Sequence, residues 1–255
     1  MKRKKDIKIF KNFLNTSDKN ELTELFFDSF KNSLPSKFSK KKSLLEDEEF
    51  HKALINFRKK NPKKFGKLYD LFKLKAQVKS FFFKRKFLIL FSKILNIEIK
   101  NLYISGIMLR MDAPEDKKNT LDWHQDSAYY HINYPKFNSY VAYVPLVKNT
   151  SENGTVQYIP KSNKRLLNHK KIKIKKNVIK HVIKPSKSEL KKIKNFDINF
   201  GDVGVFHTNL KHRSGTNISK KIRLNLLCRF YDMSKSFNEG SERYVFKSSG
   251  KSFLF

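Results

Sequence analysis

The stretch GDVGVFHTNLKHRSGTNISKKIRLNLLCRFY, residues 201–231, decides the fold. It opens with a short run rich in β-branched and aromatic residues, passes through the turn residues Ser214, Gly215, Thr216 and Asn217, and returns as RLNLLCRFY. Such runs on either side of turn chemistry read as antiparallel strands. In the return run Leu224, Leu226, Cys228 and Phe230 alternate with Arg223, Asn225, Leu227 and Arg229, and residues two apart share one face of a strand. One face is therefore apolar and the other carries arginines. An arginine turned into a β core is costly unless an anion meets it, and a carboxylate gripped at two points is its natural partner. That carboxylate belongs either to the protein or to a small molecule.

NLYISGIMLRM (101–111), YVAYVPLV (140–147) and TVQYIP (155–160) have the same strand character. The turn-rich pieces DAPEDKKNT (112–120), KNTSENG (148–154) and RSGTNISKK (213–221) separate them. Short strands in this arrangement predict a β-sandwich or barrel rather than a parallel α/β sheet. Upstream, ELTELFFDSF, DEEFHKALINFRKK and KLYDLFKLKAQVKSFFFKRKFLILFSKIL repeat apolar residues at three- and four-residue spacing, with breaks at Leu34-Pro35-Ser36 and Asn61-Pro62. The expectation is a mainly β chain with a helical N-terminal region over 1–96 packed on a core over 97–255, as one integrated domain. Residues 161–195 are lysine-rich and read as an insertion between strands, with some helix near Ser188 to Lys194.

The net charge of +33 would ordinarily point to a polyanion. Here the positive charge is mostly dispersed lysine, enriched together with Asn, Ile and Phe as an AT-rich coding bias produces, so it does not define a basic patch. Nucleic acid is not the expected partner. The one cysteine, Cys228, excludes an internal disulfide and a cysteine-based zinc site and suits a reducing cytoplasm. MKRKKDIKIFKNFLN lacks the apolar run and cleavage site of a secretion signal. Phe81 to Ile97 is too charged and too short to span a bilayer, and a cytoplasmic location is expected.

In Trp123-His124-Gln125-Asp126, His124 and Asp126 fall on one side of an extended segment and can offer an imidazole nitrogen and a carboxylate oxygen to one metal ion. Alone this is a weak motif. A third donor would come from the 201–231 stretch, at His207 or His212, just ahead of the inward arginine. Two histidines and one carboxylate on one face of an iron leave the opposite face open to a co-substrate and O2.

The order WHQD, then NGTVQYIPKSN (153–163), then GDVGVFHTNLKHRSGTN and an arginine eleven residues past His212 is similar to the phytanoyl-CoA dioxygenase-like family of Fe(II)/2-oxoglutarate-dependent oxygenases, over about residues 104–231. The resemblance implies a double-stranded β-helix (jelly-roll) core flanked by α-helices. It implies Fe(II) held by His124, Asp126 and His212, with the distal carboxylate of 2-oxoglutarate gripped by Arg223. His212 is favoured over His207 because it leads into the Ser-Gly-Thr-Asn turn and stands at the family distance from the arginine. Gln125 and Ser214 match family positions near the co-substrate, and Asn225, on the face of Arg223, joins them as a candidate. The implied reaction hydroxylates a small-molecule or lipid-like substrate with O2 and releases succinate and CO2. Arg110, Tyr129, Tyr130 and the N-terminal helices are candidate pocket walls. Two departures concern the pocket: Tyr143 stands where family members often carry tryptophan, and Pro160-Lys161-Ser162-Asn163 replaces the usual Pro-Gly-Ser-His.

Two other classes compete. Arg223 through Arg229 spells R-x-N-x-x-x-R, as in AlkB-type nucleic-acid oxygenases, but the arginine lies too close to the distal histidine and the 86 residues from Asp126 to His212 are too many for that family. A metal-free jelly-roll binding protein would not need all four key side chains, which are present. His51, His169 and His181 are read as surface residues, and His131 as a loop residue.

Overall fold

The computed structural model describes residues 6–38, 44–115, 120–129, 138–175 and 178–232. Five helices follow the N-terminal periodicity: α1 (Thr16–Phe30), α2 (Glu48–Lys60), α3 (Pro62–Phe72), α4 (Ala76–Phe83) and α5 (Arg85–Leu95). Their ends are written in the sequence. Asn15 and Asp18 form a reciprocal capping box at the start of α1. Asp47 accepts from Phe50 N at the start of α2, and Pro62 opens α3, where a missing N–H costs nothing. Asn96, in the left-handed region, closes α5. No helix among the described residues is long and apolar enough to cross a membrane.

The strands are β1 (Ile7–Phe10), β2 (Leu102–Asp112), β3 (Ser139–Pro145), β4 (Val156–Tyr158), β5 (Lys170–Lys175), β6 (Val178–Val182), β7 (Lys194–Asn195), β8 (Val203–His207), β9 (His212–Ser214) and β10 (Arg223–Asp232), with a short helix α6 (Lys187–Leu190) after β6. One sheet has the order β1-β8-β3-β10-β2 and the facing one β7-β4-β9, all pairs antiparallel, while β5 and β6 form a separate hairpin. This is the jelly-roll core, mainly β and flanked by helices. Gly154 (φ +76°) lets the turn before β4 lie against the turn after β9: a Cβ there would sit 2.7 Å from Asn217 N and from Gly215 O.

Strand alternation divides the core. Leu224, Leu226, Cys228 and Phe230 of β10, with Ala142, Val144, Val203 and Val205, pack in one cluster with Phe26, Phe50, Phe81, Phe87 and Phe91 of the helices. Phe91 stacks on Phe230 with ring centroids 3.8 Å apart. The opposite faces contribute Val141, Tyr143, Phe206 and Leu227 to a second cluster, with Val156, Phe196, Ile198 and Leu210. Asp18 at the start of α1 pairs with Lys84 (2.8 Å) and with Lys86, linking α1 to the α4–α5 junction.

Two expectations need correction. The N-terminal region is not helical throughout, because Ile7–Phe10 pairs with β8 and covers what would otherwise be an exposed sheet edge. The 161–195 insertion is chiefly the β5–β6 hairpin, with helix only at Lys187–Leu190.

Candidate metal centre

The segments carrying His124 and His212 are bridged by a reciprocal backbone pair, His124 N to His212 O (2.9 Å) and His212 N to His124 O (3.0 Å). This sets the two imidazoles side by side, ring centroids 4.2 Å apart. Each ring uses Nδ1 toward a nearby carbonyl, His124 to Asp122 O (2.7 Å) and His212 to Leu210 O (2.8 Å). A neutral imidazole donating from Nδ1 presents a lone pair at Nε2. Both Nε2 atoms face Asp126 Oδ1, at 3.4 Å and 3.5 Å. Donor atoms of His124, Asp126 and His212 all lie within 4.8 Å of one another, and all three residues are buried. Burial, aided by neighbouring His124, holds His212 down to about 4, so it is neutral near pH 7. Burial would raise the Asp126 pKa, but Arg229 and the histidines outweigh it and keep the group below the usual carboxylate range. Two imidazoles and a carboxylate are a donor set suited to a divalent metal.

The inward face of β10 supplies the charges around this cluster. Arg229 donates from Nε (3.1 Å) and Nη2 (2.7 Å) to Asp126 Oδ2, and from Nη1 to Gly106 O (2.6 Å). Arg223, 2% exposed, donates from Nη2 to Asp112 Oδ2 (2.5 Å), while Arg110 Nη2 donates to Asp112 Oδ1 (2.7 Å). Burial would raise Asp112, and the two guanidiniums reverse that and hold it below the ordinary range. The protein carboxylate allowed for as a partner of Arg223 thus exists, yet it takes only one nitrogen. Arg223 Nε and Nη1 are buried without a partner among the described residues, as is Asn149 Oδ1. Asn149 Nδ2 donates to Tyr143 Oη (2.7 Å) and to Asn225 Oδ1 (2.5 Å). Burial pushes Tyr143 up to about 12.

The remaining candidates divide. His207 stays out of the cluster, facing Asn138 Oδ1 (3.1 Å) and accepting from Asn209 N (2.9 Å). The Gln125 amide is committed to the scaffold: it donates to Arg165 O (2.8 Å) and Asn209 O (2.6 Å) and accepts from Leu167 N (2.8 Å). Ser214 Oγ accepts from Leu121 N (3.1 Å), pinning the segment that leads into His124. Tyr129 packs edge-on to His124, centroids 5.7 Å apart. Tyr130 and His131 lie outside the described residues.

Three histidines read as surface residues are placed otherwise. His51 is buried, its Nε2 toward Leu45 O (2.8 Å) and its Nδ1 accepting from Ile222 N (3.2 Å), which ties α2 to the start of β10. His169 Nε2 accepts from Gln125 N (3.1 Å). His181 packs on Tyr129 at 4.8 Å, so the hairpin insertion stands over the cluster. Contacts between segments 44, 52 and 171 residues apart place these histidines, and local spacing carries no signal for them.

The family model of phytanoyl-CoA dioxygenase (PhyH) matches residues 34–225. No curated protein sequence matches the chain significantly. Among solved structures, EvdO2 from Micromonospora carbonacea var. aurantiaca aligns at 18% identity over 63% of this chain and 65% of its own, with a TM-score of 0.53. A second EvdO2 structure, complexed with 2-oxoglutarate, gives 0.51. The non-heme monooxygenase ThoJ aligns at 15% identity over 89% of this chain and 74% of its own, with a TM-score of 0.57. The chain spans just under two thirds of the length of EvdO2, and at these identities the likeness is one of fold.

Proposed function

Since the chain belongs to the phytanoyl-CoA dioxygenase family, which matches it over residues 34–225, we propose that it is a non-haem Fe(II)- and 2-oxoglutarate-dependent oxygenase that hydroxylates a small-molecule or lipid-like substrate and releases succinate and CO2. The observation that carries this reading is the buried His124, Asp126 and His212 cluster, with three donor atoms turned toward one point. Bound Fe(II) and 2-oxoglutarate would supply O2 activation coupled to oxidative decarboxylation.

The protein's own residues do the rest. His124 Nε2, His212 Nε2 and Asp126 Oδ1 would hold the metal, three protein donors that would leave positions for co-substrate and O2. Arg223 would bind the distal carboxylate through Nε and Nη1, the two nitrogens that lack a partner among the described residues. Asp112 holds that guanidinium still. Burial of the cluster excludes water and fixes orientation. Tyr129, edge-on to His124 and packed on His181 of the β5–β6 hairpin, would line the substrate side. The helical region and the jelly roll act as one integrated domain, a reading supported by their shared apolar cluster. A cytoplasmic location fits the buried free thiol of Cys228.

The test is an anaerobic titration of Fe(II)-loaded protein with 2-oxoglutarate, followed by a screen of metabolites for stimulated succinate formation. A metal-to-ligand charge-transfer band that saturates with 2-oxoglutarate is expected. Protein that binds neither Fe(II) nor 2-oxoglutarate would refute the assignment.

A further inference from the structure

Strands β2 and β10 lose register between Leu227 and Arg229: Leu227 pairs with Met108 but Arg229 pairs with Ser105, so β2 carries one extra residue there. Gly106 lies within that bulge at φ +60°, a conformation open to glycine without strain. Its carbonyl accepts from Arg229 Nη1 at 2.6 Å. The same guanidinium then presents Nε and Nη2 to a single oxygen, Asp126 Oδ2, at 3.1 Å and 2.7 Å. Oδ1 is left as the oxygen facing both histidine Nε2 atoms.

We infer that Arg229 is a positioning residue that restricts Asp126 to one metal-binding oxygen, Oδ1. The inference rests on the functional reading above and concerns how many coordination positions the protein leaves open. With two imidazoles and one carboxylate oxygen, a six-coordinate ion keeps three positions, enough for a two-point chelating 2-oxo acid and O2. A carboxylate binding through both oxygens would take one of the three, so a chelating 2-oxo acid would have to displace that second oxygen or leave no position for O2. Two charge-assisted hydrogen bonds occupy Oδ2 and oppose that second mode. The bulge and Gly106 hold the guanidinium in place by its third nitrogen.

The experiment compares full-length wild type, Arg229→Met and Arg229→Lys, each loaded anaerobically with Fe(II). Fe(II) affinity is measured alone, then 2-oxoglutarate affinity and the position and intensity of the charge-transfer band. In Arg229→Met, Fe(II) binding is expected to stay within about tenfold of wild type, while 2-oxoglutarate binds about tenfold or more weakly and the band shifts and weakens. Arg229→Lys, which keeps one donor for Oδ2, is expected to recover part of both. A folded Arg229→Met with the wild-type band and wild-type 2-oxoglutarate affinity overturns the inference. So does loss of Fe(II) as complete as in Asp126→Ala, because Arg229 would then merely assemble the site. If Arg229→Met does not fold by circular dichroism, Arg229→Lys decides: weakened 2-oxoglutarate binding with Fe(II) retained supports the role, and unchanged binding overturns it. Wild-type protein that binds no Fe(II) defeats the functional reading first, and this inference falls with it.

Discussion

Replacing Arg223 by leucine removes the two buried N–H groups, Nε and Nη1, that have no protein partner among the described residues. A hydrogen bond to a charged group contributes about 1.5–3 kcal/mol. Two such bonds to one carboxylate give about 3 kcal/mol at the lower bound, or about two orders of magnitude in Kd at roughly 1.4 kcal/mol per decade. The substitution also frees one oxygen of Asp112, but Arg110 still holds the other at 2.7 Å, so that carboxylate does not become an unpaired buried charge. The fold should therefore survive, and Fe(II) affinity should barely change, because Arg223 touches none of the three metal donors. Lysine in the same place should recover only part of the loss, since an ammonium cannot reproduce a two-pronged contact. The assay is the anaerobic titration of the Fe(II) protein, run with 2-oxoglutarate and with 2-oxopentanoate, which keeps the chelating end and lacks the second carboxylate. The weakening of about a hundredfold should appear for 2-oxoglutarate and vanish for 2-oxopentanoate. Equal affinity of wild type and Arg223→Leu for 2-oxoglutarate, with iron bound in both, would refute the role assigned to Arg223.

Alanine at His124, Asp126 or His212 should abolish turnover through loss of metal, whereas His207→Ala should retain it; full activity in His212→Ala, measured as succinate formation, would reassign the third donor. Asp18→Asn should lower stability near neutral pH by about 1–2 kcal/mol by urea melts, given its two lysine partners. Lys84 and Lys86 outweigh burial and hold the folded Asp18 pKa below its unfolded value, so the stabilisation is present above about pH 3.9 and lost as pH falls through the folded value. The wild-type advantage should accordingly shrink in melts repeated below about pH 4, and an advantage that grows there would contradict this sign. If the lysines serve no polyanion site, binding to DNA should fade near physiological salt in a gel-shift assay, and tight sequence-selective binding that persists would restore the nucleic-acid reading.

The strands were legible because alternation is a local property: Arg223 to Tyr231 sorts its side chains onto the faces that the structure shows. His124 and Asp126 could be read from a spacing of two, and His212 from its turn, although only the backbone bridge between residues 124 and 212 brings the three together. Asp112 was missed. It stands two residues past Arg110 on one strand, yet its pairing with Arg223 depends on a register set across 111 residues. Arg229 was legible as an inward-facing arginine and as part of a rival motif, but its partner Asp126 was not, because the two stand 103 residues apart. The edge strand at Ile7–Phe10 and the hairpin over the cluster escaped for a related reason, because partners on distant segments fix them both.

The stacking of Phe91 on Phe230 has a bearing on how the protein can be handled. Cleavage of the chain before β2, with loss of the helices, would bare Leu224, Leu226, Cys228 and Phe230 together with Ala142, Val144, Val203 and Val205 as one continuous apolar sheet face. A surface of that kind drives self-association in water. Limited proteolysis would then not release a working jelly roll but a precipitating one, and expression of residues 97–255 alone should deliver inclusion bodies rather than a minimal enzyme.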